Sequence, residues 1–199
     1  MSRRQPRWAV SNLNNQTIMK SFITLMTAVL TTAAAAADAA KPIATPVVKP
    51  NEMMLKVGGI VCQFCAFGVA KNLAGLEFMD RTKLKNGVFV DIEKQHVAVA
   101  LTAGKAPDFA GINKSIKRGG YDLISAHLLI QGKLEQPEGR WLLRDEIHGA
   151  QYVLEGKPGA AWSIGNRVSI QGEVSGKAIA AMKPGQPLVV TVNQLEVLK

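Results

Sequence analysis

The chain has 199 residues, 47% of them hydrophobic and 20% charged, and carries a formal net charge of +9. This is the composition of a folded protein of one or two domains, long enough to bury a core. The basic excess sits in the first 128 residues (+3 over 1–40, +5 over 41–128, +1 over 129–199) and is not concentrated on one element, which argues against a dedicated nucleic-acid binder.

Taken in chain order, the first feature is a leader. "MKSFITLMTAVLTTAAAAADAA" opens at Met19 with a lysine, continues through a short apolar run from Phe22 to Leu30, and ends in small residues that offer A-x-A cleavage sites. That order is the signature of a secretory signal peptide, with translation starting at Met1 or Met19. The apolar run is too short for a membrane-spanning helix, which needs about 20 residues. Residues 1–40 are therefore set apart from the fold. Residues 41–52 follow as a linker stiffened by Pro42, Pro46 and Pro50. The expected location is periplasmic or secreted, an oxidising setting in which a cysteine pair can rest as a disulfide.

From 53 to 128 the pattern alternates. "MMLKVGGI" reads as a strand, and "CAFGVAKNLAGL" as a helix with Ala66, Val69, Ala70, Leu73 and Leu76 at helical spacing. "GVFVDIEK" and "HVAVALTA" alternate with period two and pair across Lys94–Gln95 as a hairpin. "PDFAGINKSIKRGG" is a second helix, opened by Pro107, buried through Phe109, Ile112 and Ile116, and stopped by Gly119–Gly120. "YDLISAHL" is a fourth strand, and near Ala126–Gln131 it can run directly into the segment that follows. The order β-α-β-β-α-β predicts a ferredoxin-like domain. From 129 to 199 helical spacing gives way to short alternating runs, "LLIQGKL", "GRWLL", "QYVLEG", "RVSIQGEV" and "PLVVTVNQLEVL". Gly or Pro stands between them, and "KAIAAMKPGQ" reads as a helical turn or loop. The fold class is thus α+β, a ferredoxin-like domain followed by a small all-β, OB-like barrel.

The only two cysteines, Cys62 and Cys65, lie in "GGIVCQFC" between the first strand and the first helix. Soft thiolates favour soft ions such as Cu(I) or Hg(II), which two sulfurs satisfy. Zn(II) seeks four ligands and would have to recruit the rest. A thiol–disulfide redox pair and a structural disulfide are the alternatives, although a C-x-x-C ring gains little from loop closure. His96, His127 and His148 do not cluster and read as surface residues. Trp141, Tyr152 and Trp162 read as core or rim residues of the barrel. No catalytic constellation stands out, so the expectation is a protein that is not an enzyme.

Residues 53–128 resemble the heavy-metal-associated domain family, which includes copper chaperones and the periplasmic mercury-binding protein. The resemblance rests on "GIVCQFC", on Val69 and Leu73 after the second cysteine, on Gly87–Val88, Val90–Asp91 and "HVAVAL", and on Gly120–Tyr121. It implies a Cu(I) or Hg(II) site at Cys62 and Cys65, supported by Gly59, Ile60, Lys117 and Tyr121, and a partner protein that donates or accepts the metal. Two features depart from the family: Ile60 replaces its methionine, and about nine residues within "EFMDRTKLKN" are added at the end of the first helix. Neither nucleic acid nor a lasting membrane span is expected.

Overall fold

The computed structural model describes residues 46, 48–183 and 186–199; the leader and most of the linker lie outside them. The elements run β1 (Glu52–Gly58), α1 (Gln63–Ala74), β2 (Val88–Asp91), β3 (His96–Ala100), α2 (Phe109–Arg118), β4 (Asp122–Glu135), β5 (Leu142–Asp145), β6 (Gln151–Glu155), β7 (Arg167–Ser175), α3 (Gly176–Ala181) and β8 (Leu188–Val197). The described residues are mixed α+β, and their eight strands form one continuous sheet in the order β2-β3-β1-β4-β5-β6-β8-β7. A further pairing of β4 with β7 closes the last five strands into a barrel of the OB-like kind.

Alternation sets each strand's inner face. In β1, Met53, Leu55 and Val57 are buried while their neighbours are half-buried, and β7 buries every second residue from Val168 to Val174. The pairings within β2-β3-β1-β4 are antiparallel, whereas β6 and β8 run parallel. Val69 and Leu73 of α1, with Phe109, Ile112 and Ile116 of α2, share one buried core with the inward side chains of the sheet, α1 lying against β2 and α2 against β4. Asp108 caps α2, its Oδ1 accepting the Gly111 N–H at 2.8 Å, and Gly119 ends the helix. Each fully buried aliphatic side chain contributes about 1.5–3 kcal/mol through removal from water.

Three details sharpen the sequence pattern. "YDLISAHL" and "LLIQGKL" are one strand of 14 residues, β4, carried across the junction by its ladder with β7 from Ser125 to Lys133, while its ladder with β1 shifts register between Lys56 and Val57. One edge of β4 bonds first to β1 and then to β5, while the other edge bonds to β7 from Ser125 to Lys133. The β2–β3 connection spans Ile92–Gln95, with Gln95 at φ 52°, and so is longer than the tight turn expected. The added residues after α1 make a loop, pinned by buried Phe78 and Met79 and by a bridge from Met79 to Leu101. "KAIAAMKPGQ" does begin with a helix, α3, whose N-cap Ser175 accepts the Ala178 N–H at 3.1 Å.

The core passes through both halves. Phe109 of α2 meets Tyr152 of β6 edge-to-face, with ring centroids 6.4 Å apart. Burial, helped by the nearby Asp145 carboxylate, pushes the Tyr152 phenol well above its ordinary pKa. Trp141 and Trp162 form a second edge-to-face pair at 5.5 Å on the half-buried rim of the barrel. Among the described residues, no helix is long and apolar enough to cross a membrane.

Gly132 lies where β4 passes into the barrel, and a Cβ built there would run into the Arg144 carbonyl oxygen of β5. Gly132→Ala is expected to lower stability by about 1–3 kcal/mol. Urea unfolding followed by tryptophan fluorescence and by far-UV circular dichroism should shift as one transition. Two separating transitions would show that the halves unfold independently.

Candidate functional site

The end of β1 and the start of α1 bring the cysteines to one point. Cys62 has extended backbone angles (φ −150°, ψ 165°) and is the N-cap of α1, so its Sγ accepts the Cys65 N–H at 3.1 Å. The two sulfurs lie at disulfide distance, with their Cα atoms 5.1 Å apart. Both residues are half-buried. Free N–H groups and the partial positive end of the helix dipole favour a thiolate at this position.

The loop leading to them is fixed from below. Gly59 adopts φ +95°, which a side chain would strain, and its N–H donates to Gln95 Oε1 at 3.1 Å. Ile60 is 1% exposed and joins the main core, so it fills the space beneath the loop. Tyr121 leans against the same loop: its hydroxyl donates to the Cys65 carbonyl at 3.4 Å, and its ring lies beside Gly59. A Cβ at Gly119 would meet that ring at 2.6 Å, so the close turn after α2 lets Tyr121 fold back over the loop. Lys117, by contrast, is bound elsewhere, its Nζ lying 2.6 Å from Asp122 Oδ1 on the exposed surface. Gly59, Ile60 and Tyr121 therefore gather around the cysteine loop, while the charge of Lys117 is met by Asp122.

Two of the histidines are not surface residues. His148 is buried and pairs its Nδ1 with Asp145 Oδ2 at 2.9 Å; Asp145 also accepts the Ile147 N–H, which braces the β5–β6 turn. His127 is buried on β4, its Nε2 3.1 Å from Ser125 Oγ and 3.9 Å from Glu173 Oε1. Burial lowers its pKa, with Glu173 opposing. Burial also lowers that of half-buried His96, helped by the positive charge of Lys56. Among the described residues, no three or more His, Cys, Asp or Glu side chains come together as a metal cage. A groove of about 430 Å³ along Val192–Leu195 and one of about 580 Å³ between Gly75–Phe78 and Lys105–Asp108 are lined by neither cysteine.

The sequence reading passed over Val61, Phe64 and Phe67, which stand exposed around the cysteine pair. The signal for them was present: Phe64 and Phe67 fall outside the stripe formed by Ala66, Val69, Ala70 and Leu73, so a helix packed on that stripe turns them to solvent. No family model and no curated protein matches the chain, so the family resemblance rests on the residues quoted for it.

Buried His127 gives the fold a pH response. The unfolded chain takes up the proton at the ordinary value of about 6.5, whereas folded His127 does so only at lower pH. Its share of stability is full above that ordinary value and is lost as the pH falls through the folded one. Thermal melts should therefore fall between about pH 7 and pH 5. His127→Gln should flatten that fall, and an unchanged slope would remove His127 as its source.

Proposed function

We propose that the protein is an exported soft-metal-binding protein that sequesters or passes on one Cu(I) or Hg(II) ion, held between the thiolates of Cys62 and Cys65. The observation that carries this reading is the placement of both sulfurs at disulfide distance on the first turn of α1, with Cys62 as N-cap. Two soft donors so close together, at the positive end of a helix, match an ion that prefers two thiolates. Zn(II) would have to complete its shell from water or a partner.

The domain reading supports this function. The order β1-α1-β2-β3-α2-β4 with the sheet order β2-β3-β1-β4 fits a ferredoxin-like module of the heavy-metal-associated kind over residues 53–128. Gly59, Ile60 and Tyr121 serve as supports of the metal loop, and the barrel over 129–199 serves as a stabilising or docking module. The leader fits export to the periplasm. No catalytic activity and no nucleic-acid role form part of this reading.

In the proposed cycle the pair first gives up its S–S bond to an external dithiol, taking two electrons and two protons. The thiols then lose their protons as the ion binds. Transfer follows when a partner's thiolate adds to the ion, making a three-coordinate species, and one original sulfur leaves. The ion's oxidation state does not change.

A second reading draws on the disulfide distance itself: a thiol–disulfide redox protein, or an envelope adaptor with a fixed disulfide. Competition with a chromophoric Cu(I) chelator under reducing conditions separates them. One ion per chain is expected, and Cys62→Ser or Cys65→Ser should abolish it. Undiminished binding in the double variant would refute the soft-metal reading, while insulin reduction that depends on Cys62 would favour the redox one. A pair that resists mild reductant in thiol titration would favour the adaptor.

A further inference from the structure

The outer face of α1 carries groups that soft-ion binding does not use. Val61, Phe64 and Phe67 are 78%, 89% and 69% exposed. Phe64 and Phe67 lie one turn apart on the side away from Val69 and Leu73, and exposed Lys71 continues their stripe. Rings this free of neighbours protrude from the surface and do not line a groove. An exposed apolar cluster of this kind marks an interaction site.

Area and charge choose the occupant. A stable protein partner or second copy covers about 800 Å² on each side. An aromatic side chain offers about 150–250 Å², so these three residues supply roughly half of that. A lipid surface has no such requirement, because each protruding side chain enters it separately. The helix layer is also basic: α1 and α2 expose Lys71, Lys114, Lys117 and Arg118, and neither helix contains an Asp or Glu. Asp122 answers Lys117, and Asp91 of the neighbouring hairpin is answered by Lys94; Glu93 is the other carboxylate of that turn.

We infer that the helix layer is a peripheral docking surface for an anionic lipid bilayer. Val61, Phe64 and Phe67 enter the boundary between headgroups and acyl chains, and Lys71, Lys114 and Arg118 sit over lipid phosphates. The contact lies on the membrane and does not cross it. It holds the cysteine pair at the bilayer surface without engaging either sulfur.

The test floats the full chain with vesicles of phosphatidylglycerol and phosphatidylcholine, and with phosphatidylcholine alone. Binding is expected to the anionic vesicles. Phe64→Ser with Phe67→Ser should weaken it at least about tenfold, and each of Lys71→Gln, Lys114→Gln and Arg118→Gln by about fivefold. A site-specific readout separates this contact from any made by the leader: Phe64→Trp should add a blue-shifted emission, absent from the unsubstituted chain, that brominated phosphatidylglycerol quenches. Cys62→Ser with Cys65→Ser should bind vesicles as the unsubstituted chain does, so failure of the metal reading leaves this one standing. Unaltered flotation of the double phenylalanine variant, or no quenching of the emission that Phe64→Trp adds, would overturn the inference. So would sedimentation equilibrium showing a dimer that Phe64→Ser abolishes.

Discussion

The rest of the structure hangs on the backbone pairing of β4. Its 14 residues run unbroken from Asp122 to Glu135, and both edges are occupied. Along one edge β1 gives way to β5; along the other β7 follows it from Ser125 to Lys133. Because a strand has a period of two, the register of β4 decides at once which residues face the helices and which face the barrel interior. Ala126 and Leu128 lie opposite Leu55 and Met53, while Ile130 and Leu134 enter the same continuous core further along. Gly132 has no side chain because the β5 backbone occupies the space where one would go.

That rigid base explains how a short loop can hold two sulfurs in place. The cysteine loop leaves β1 at Gly58, which pairs with Asp122 of β4, just beyond the stretch held between β3 and β4. Its two anchors come from different parts of the chain: Gln95 from the β2–β3 turn and Tyr121 from the turn after α2. Both anchors bond to backbone groups of the loop or the first helical turn. The cysteines are thus oriented by main-chain geometry, and their side chains remain half-exposed.

Much of this was legible in the sequence because it depends on local period and local turn chemistry. The alternation in "MMLKVGGI" and "HVAVALTA", the stripe of Phe109, Ile112 and Ile116, and the stop at Gly119 all follow from spacing alone. The run-through of β4 was legible at Ala126–Gln131, where no breaker separates the two runs, but its partners β1, β5 and β7 were not, since they lie far along the chain. His127 and His148 were misjudged for a related reason. Burial of a histidine is decided by partners distant in sequence or hidden in a turn, here Glu173 across the ladder and Asp145 before the turn. The family resemblance implied a supporting role for Lys117, whose ammonium group pairs with Asp122 five residues on.

Ile60 shows how such a departure is absorbed. A methionine fills irregular space with a flexible side chain, whereas isoleucine is stiff at χ1 and demands a fitted cavity. Ile60 has that cavity: it is 1% exposed and belongs to the same core as Val57, Val69 and Leu73. The residue beneath the loop therefore acts through packing, and a branched aliphatic group meets that requirement. Sulfur placement is set one step later, by Gly59 at φ +95° and by Cys62 closing the first turn of α1. A stiff side chain in a fitted cavity gives the loop a fixed base, and both of those constraints act above it.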